Sequence, residues 1–246
     1  MTQESLKSIL KNSDNFVFLT GAGISEESGI PTFRGPGGLW KKYDPMKLAS
    51  ISGFYEDPKL VWEFYQDRQK LILGCEPNLG HLTIAEIEML KNTTILTQNI
   101  DGLHRRAGSK NIVELHGNIM RIKCTGCNFK GEFQQQDIKN IQDLPPICKS
   151  CRNILRPEIV FFGEPLDQQT WKIAEESSGN CSVMFIVGTS LNVGPVNTLP
   201  LNAKRNGATL IEMNPEPTIF NNLMDFSLRG KATETLPKIL SMIKNV

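Results

Sequence analysis

The sequence predicts an α/β fold: a Rossmann-like parallel sheet with helices on both faces, plus a smaller zinc-binding domain formed by two insertions. Three observations carry this expectation. Short apolar, β-favouring runs alternate with helical patterns, the first run opens onto a glycine-rich turn, and two Cys-x-x-Cys pairs interrupt the alternation.

Leu6, Ile9 and Leu10 fit an amphipathic helix at the start. Residues 15–20 then form an apolar run that ends in glycine, which reads as a buried strand meeting a loop. Similar runs recur at 93–97, 112–114, 181–187 and 208–213. Helical periodicity separates several of them, at 61–73, 79–90, 168–177 and 196–206. A last helix over 233–243 is expected to pack back on the sheet. Residues 40–74 and 119–157 break the pattern and read as the two insertions. The large domain then comprises 1–39, 75–118 and 158–246.

Composition sets outer limits. The 246 residues are 39% apolar and 22% charged, as in an ordinary soluble globular protein. A net charge of +1 offers nothing to nucleic acid or to an anionic membrane, and neither partner is expected. No apolar run approaches the roughly 18 residues of a membrane span. The start lacks the charged, apolar, then small-residue pattern of a secretory signal, so a cytoplasmic protein is expected. Reduced thiols agree with that, because four of the six cysteines stand in paired Cys-x-x-Cys form.

Gly21-Ala22-Gly23-Ile24-Ser25 follows the first strand. Glycines there let a backbone approach a diphosphate, and free N–H groups can bind its oxygens. Glu26 stands where the common dinucleotide fingerprint has its third glycine, and no Gly-Lys-Ser/Thr ending marks an ATP loop. An ordinary strand-to-helix turn is the competing reading. The loop continues to Phe33 and Arg34, and an arginine beside a phosphate site offers a fork of donors.

A second strand end carries Gln98-Asn99-Ile100-Asp101. In a parallel sheet, ligands sit at the carboxyl ends of strands. A carboxamide there can orient a water or a ribose hydroxyl; an Asx-turn closing the strand is the alternative. The next strand ends in His116-Gly117, and His116 can act as a general base near neutral pH. Only two other histidines compete with it. His81 lies in a helical pattern and His104 follows a turn, so both read as structural.

Cys124-x-x-Cys127 and Cys148-x-x-Cys151 form two knuckles that complete a tetrahedral thiolate site. Four protein ligands leave no position for water, so a structural zinc is expected. A zinc ribbon that reads nucleic acid is the rival use, but the spacer mixes lysine with acids and glutamine. Cys181 reads as a buried small hydrophobe opening a strand.

Taken together, residues 21–34, 98–101, His116-Gly117, the four cysteines, Phe162-Gly163-Glu164, Gly188-Thr189-Ser190 and Asn214-Pro215-Glu216 resemble the sirtuins, NAD-dependent protein-lysine deacylases. The resemblance covers nearly the whole chain, in order. It implies NAD as co-substrate, held between the large domain and the zinc-bearing small one. Gly21, Ala22, Gly23, Ser25, Ile30, Phe33, Arg34 and Trp40 would hold the diphosphate and cover the nicotinamide. Gln98, Asn99, Ile100 and Asp101 would position the nicotinamide and its ribose, and residues 188–190, 214–216 and Ala232 the adenosine half. Asn99, Asp101 and His116 would carry catalysis, with His116 as general base on a ribose hydroxyl once nicotinamide has left. Products would be free lysine, nicotinamide and an O-acyl-ADP-ribose. The expected partners are acyl-lysine proteins or peptides, clamped as an added strand by Val160, Phe161, Phe162, Gly163 and Glu164 and by the segment around Val193. A monomer is expected.

Tyr65 and Arg68 lie three apart in a helical pattern and so share one face. This Tyr-x-x-Arg pair resembles the acyl pocket of the sirtuins that remove succinyl, malonyl and glutaryl groups, and Ala49 aligns with a small residue that widens that pocket. A phenol and a guanidinium can jointly bind a terminal carboxylate. The alternative is that Arg68 pairs with Asp67 or Glu63 on a solvated helix face. A lesser deacetylase activity is expected beside desuccinylation. Two other functions could use the same residues: transfer of ADP-ribose to a protein, or a non-catalytic module binding NAD or zinc.

Overall fold

Phe16 and Phe18 face one side of the first strand, Val17 and Leu19 the other, and all four are buried. A strand apolar on both faces must be covered on both, which is the condition for a parallel sheet between helix layers. The computed structural model describes residues 2–35, 37–141 and 143–244. Positions 1, 36, 142, 245 and 246, which fall within the domain spans read from the sequence, lie outside the described residues.

The strands are β1 (Asn15–Thr20), β2 (Asn92–Thr97), β3 (Ile112–Glu114), β4 (Gly117–Cys124), β5 (Lys130–Glu132), β6 (Leu155–Ile159), β7 (Val183–Val187), β8 (Thr209–Met213) and β9 (Phe226–Leu228). The helices are α1 (Gln3–Asn12), α2 (Pro45–Leu48), α3 (Ile51–Glu56), α4 (Pro58–Leu73), α5 (Leu79–Glu88), α6 (Leu103–Arg106), α7 (Gln135–Asn140), α8 (Gln168–Asn180), α9 (Leu199–Arg205) and α10 (Ala232–Lys244).

Among the described residues the large sheet runs β3-β2-β1-β7-β8-β9, parallel throughout. The chain builds outward in one direction from β1 and then in the other from β7. The β1/β7 boundary is therefore the topological switch point, where a crevice opens beyond the strand ends. Leu6, Leu10, Ile84, Ile87, Leu236 and Ile239 from α1, α5 and α10 cover one face. Ala174, Leu199 and Ala203 from α8 and α9 cover the other. Phe18 and Phe185 stack with ring centroids 4.4 Å apart at the centre of the first layer.

A separate antiparallel sheet, β5-β4-β6, packs against α4. The Trp62 indole N–H donates to the Leu155 carbonyl at 2.7 Å, and the Gln69 amide to the Ile119 carbonyl at 2.7 Å. Ile119 falls in the irregular stretch between Asn118 and Ile122, outside the β4–β6 register, so Gln69 satisfies a carbonyl that the ladder leaves out. This sheet begins before position 119 and ends after 157. At Gly117, φ is 79° and a Cβ would lie 2.1 Å from the Glu158 carbonyl oxygen, so glycine lets the two crossing segments meet.

Some boundaries differ from those expected. Helix α8 runs to Asn180, so Cys181 is its C-cap rather than the start of a strand. Asn202 from α9 donates to the Glu175 carbonyl and to Ser178, which holds the last turn of α8 in place. Cys181 is buried, as expected, and desolvation pushes its thiol up to about 12. Strand β9 was not anticipated, because three residues are too few to establish a period. No helix among the described residues is long and apolar enough to cross a membrane.

The aromatic layer sets a stability expectation. Phe185→Ala should lower the unfolding free energy by about 3–5 kcal/mol in urea titration, with zinc bound throughout, whereas a loss below about 1 kcal/mol would contradict this account of the core.

Candidate active site

The strand ends at the switch point continue as Gly21, Gln98, Gly188 and Asn214. The glycine loop packs directly on the end of β7. Gly23 N–H donates to the Gly188 carbonyl at 2.8 Å. A Cβ on Gly23 would stand 2.8 Å from the Gly188 Cα, and one on Gly21 would stand 2.7 Å from the Thr189 Cβ. The glycines are thus required by the approach of one protein backbone to another, whatever ligand lies above. The loop continues as two 3₁₀ turns, Ala22–Ile24 and Glu26–Ser28, rather than as a regular helix.

Behind this loop lies a buried polar network. The Ser25 hydroxyl donates to Asp101 Oδ2 at 2.7 Å. The Asn99 amide donates to the Gly21 carbonyl and to Ser25 Oγ, both at 3.1 Å. Asp101 Oδ1 accepts from the Leu103 N–H at 2.9 Å, the Asx-turn that stood as the alternative reading of this strand end. Burial pushes the Asp101 carboxyl up, and its two donors and the Arg68 charge oppose that. Asn99 spends its N–H groups on the loop, which leaves its Oδ1 as an acceptor in the cavity wall.

His116 sits between β3 and β4, with Nδ1 3.0 Å from the Gln98 carbonyl oxygen. A carbonyl only accepts, so Nδ1 carries the proton and Nε2 keeps its lone pair. Desolvation lowers the pKa of His116, partly offset by that hydrogen bond. The Gln98 side chain donates to Thr189 Oγ1 at 2.9 Å and ties this strand end to β7.

These groups border one cavity of about 910 Å³. From the sequence-predicted set it brings together Gly21, Ala22, Gly23, Phe33, Arg34, Trp40, Ala49, Tyr65, Gln98, Asn99, Ile100, His116, residues 160–164, 188–190 and 214–216, Val193 and Ala232. Ser25, Ile30 and Asp101 stand behind its wall, and so does Arg68. Asn192, within the segment around Val193, also borders it, and so do Leu166 and Trp171, which were unanticipated because no local pattern marks a residue that only packing aims inward.

Residues 160–164 are held by a buried arginine that sequence reasoning missed. Arg156 is 3% exposed and forks onto Glu164 at 2.6 and 2.7 Å. Its guanidinium lies 4.3 Å from the Phe161 ring centroid. Phe162 exchanges backbone hydrogen bonds with the segment after α2, its N–H donating to Ala49 O at 2.7 Å and its carbonyl accepting from Ile51 N–H at 3.0 Å.

Arg68 is buried too, at 6% exposure, but no ion pair holds it among the described residues. Asp67 is exposed and sits 3.9 Å from Lys70, so pairing of Arg68 with a neighbour on a solvated face is ruled out. The Arg68 Nε has no hydrogen-bond partner among the described residues. Desolvation lowers the Arg68 pKa, opposed by Tyr65 and Asp101. Tyr65 is buried as well, and burial raises its pKa.

The other two histidines are buried, as expected of structural residues. His81 Nδ1 accepts from the Asn78 N–H at the start of α5, a reciprocal cap. Its Nε2 lies 3.4 Å from Ser25 Oγ, and desolvation depresses its pKa to about 4. His104 Nε2 lies 3.0 Å from Thr20 Oγ1. Neither borders the cavity.

The four cysteine sulfurs lie within 4.8 Å of one another. Sulfurs placed tetrahedrally about zinc at about 2.3 Å are separated by roughly 3.8 Å, so the cluster fits that ion. The Gly126 N–H points at Cys124 Sγ at 3.3 Å. The cysteines are positioned to bind a structural zinc.

The signature of the Sir2 family matches residues 21–195. The chain belongs to the Sir2 family. One sirtuin relative, the NAD-dependent protein deacylase 2 of Pyrobaculum aerophilum, is 45% identical over 237 residues, covering 96% of this chain and 94% of its own. A solved Sir2 homologue mutant bound to ADP-ribose superposes with a TM-score of 0.95 at 38% identity, covering 99% of this chain and 97% of the other. A Sir2 complex with a p53 peptide and NAD+ superposes with a TM-score of 0.88 at 34% identity, covering 98% of each chain.

Two outcomes follow from this geometry. The acid limb of kcat/KM against pH should have its midpoint below 6.5, because burial keeps His116 neutral to lower pH than a free imidazole; a midpoint at or above 6.5 would exclude this histidine as the titrating base. Cys148→Ser should abolish stoichiometric zinc in atomic absorption and cost more than about 4 kcal/mol of stability, and unchanged metal content would overturn the site.

Proposed function

We propose that this NAD-dependent protein deacylase of the Sir2 family prefers acyl-lysine chains that end in a carboxylate, succinyl and malonyl above all, with acetyl as a lesser substrate. One observation carries the preference: Arg68 is a buried guanidinium with no ion pair among the described residues, one helical turn from a tyrosine that borders the cavity. A buried charge without a counter-ion is costly, and an acyl carboxylate would supply the missing partner. Tyr65 presents its phenol from the same face of α4, and Ala49 leaves room that a larger side chain would fill.

The rest of the site fits the deacylation chemistry. When bound, NAD supplies an electrophilic ribose carbon with nicotinamide as leaving group. The glycine loop, Phe33 and Arg34 would hold its diphosphate side, and Asn214 and Glu216 its adenosine side. Asn99 Oδ1 would accept from an amide or hydroxyl, since both its N–H groups are committed. Asp101 fixes Ser25, and through it the loop, from behind the wall. His116 would take the ribose proton at Nε2 while the Gln98 carbonyl steadies the cation that forms. Main-chain groups of residues 160–164 and 191–194 would receive the peptide as an added strand, which favours tolerance of many side chains.

The test compares one peptide bearing succinyl-lysine or acetyl-lysine, with and without NAD, on wild type and Arg68→Met. The variant should lose about 10- to 150-fold in kcat/KM for the succinyl peptide while acetyl removal holds or improves. Equal losses on both peptides would reduce Tyr65 and Arg68 to structural residues.

A further inference from the structure

We infer that Phe33 is a specificity-determining residue: its ring occupies the guanidinium of Arg68 and competes with the acyl carboxylate for it. The inference rests on the acidic-acyl reading above and adds a residue from the cofactor loop to it.

The Arg68 guanidinium carbon lies 4.9 Å from the centroid of the Phe33 ring and 5.8 Å from that of Phe64. Trp40 closes the group, with its ring centroid 5.1 Å from Phe33 and 6.4 Å from Phe64. Phe33 and Trp40 border the cavity and Arg68 does not. Phe33 therefore touches both the cavity and the guanidinium. A cation within about 6 Å of an aromatic face is attracted by the ring quadrupole, and more strongly once desolvated. The guanidinium thus has a resting partner, an aromatic one, in the absence of substrate.

A neutral acetyl chain asks nothing of this arrangement. An acyl carboxylate gains its charge-assisted pair only after Arg68 leaves the Phe33 face, or after that ring turns aside. The backbone around Phe33 is held, because its carbonyl accepts from Trp40 N–H at 3.1 Å and Thr32's carbonyl from Leu39 N–H at 2.9 Å. The exchange is therefore a matter of side chains. Its cost falls on acidic acyl chains alone, so Phe33 sets the ratio of acidic to neutral acyl turnover.

The experiment reads that ratio, kcat/KM for succinyl over acetyl peptide, in wild type, Phe33→Leu, Phe33→Met and Phe33→Tyr, each with Arg68 intact and with Arg68→Met. Any damage to NAD handling enters both peptides and cancels in the ratio. The ring-free Leu and Met variants should raise it roughly two- to thirtyfold. The Tyr variant should leave it near the wild-type value, and no Phe33 change should move it once Arg68 is Met. A wild type whose succinyl preference depends on Arg68, but whose ratio Phe33→Leu and Phe33→Met leave unchanged or lower, would overturn the competition and keep the acidic-acyl reading. A wild type with no succinyl preference, in which Arg68→Met acts equally on both peptides, would overturn both. For any variant that turns over too slowly, the ratio of succinyl to acetyl peptide affinity of the NAD-free enzyme, measured by fluorescence anisotropy, should shift in the same direction.

Discussion

Two backbones meet at Gly23 and Gly188 more closely than any side chain would allow. That contact sits at the β1/β7 switch point and orders what surrounds it. It seats the glycine loop on the end of β7, and the loop in turn offers Ser25 and the Gly21 carbonyl to Asn99. Asn99 and Asp101 are placed by this loop as much as by their own strand end. The Gln98 amide reaches across to Thr189, and the Gln98 carbonyl orients His116. One steric requirement thus aligns the cavity wall, Asp101 and His116.

Two buried arginines show how differently the fold treats equal charges. Arg156 has a counter-ion: a carboxylate accepts both arms of its fork and an aromatic ring covers its face, although its Nε, like that of Arg68, has no partner among the described residues. Such a charge fixes geometry, here that of the segment read as the peptide clamp. Arg68 has rings but, among the described residues, no carboxylate within ion-pair distance; only the buried Asp101 charge acts on it from farther off. A buried cation left in that state is held at a cost, and such sites are where ligands of opposite charge are recognised. The contrast matters more than burial itself, which the two share.

Zinc geometry and sheet geometry are joined through the same small domain. Strand β4 leaves the large domain at Gly117 and delivers Cys124 at its other end, and β6 returns from the cysteine cluster to Ile159. The second knuckle therefore leads through β6 directly into residues 160–164, the segment proposed to receive the peptide. A metal that holds the knuckles together also holds the return path to residues 160–164.

Much of this was legible in the sequence, for stated reasons. Apolar runs such as 15–20 and 181–187, alternating with helical patterns, announced a parallel sheet covered on both faces. Paired Cys-x-x-Cys spacing has few uses, and motif order along the chain identified the family. Boundaries were less legible: the end of α8 depends on Asn202, a residue from the next helix, and β9 is too short to show a period. What the sequence by itself could not decide is which polar groups are partnered. Whether Arg68 pairs with Asp67 or lies buried, whether His81 caps a helix or reaches Ser25, and that Arg156 holds Glu164 are all matters of distance between residues remote in the chain. Spacing along one element determines which side chains share a face; only the packing of that face against others decides which charges keep their water and which need a partner.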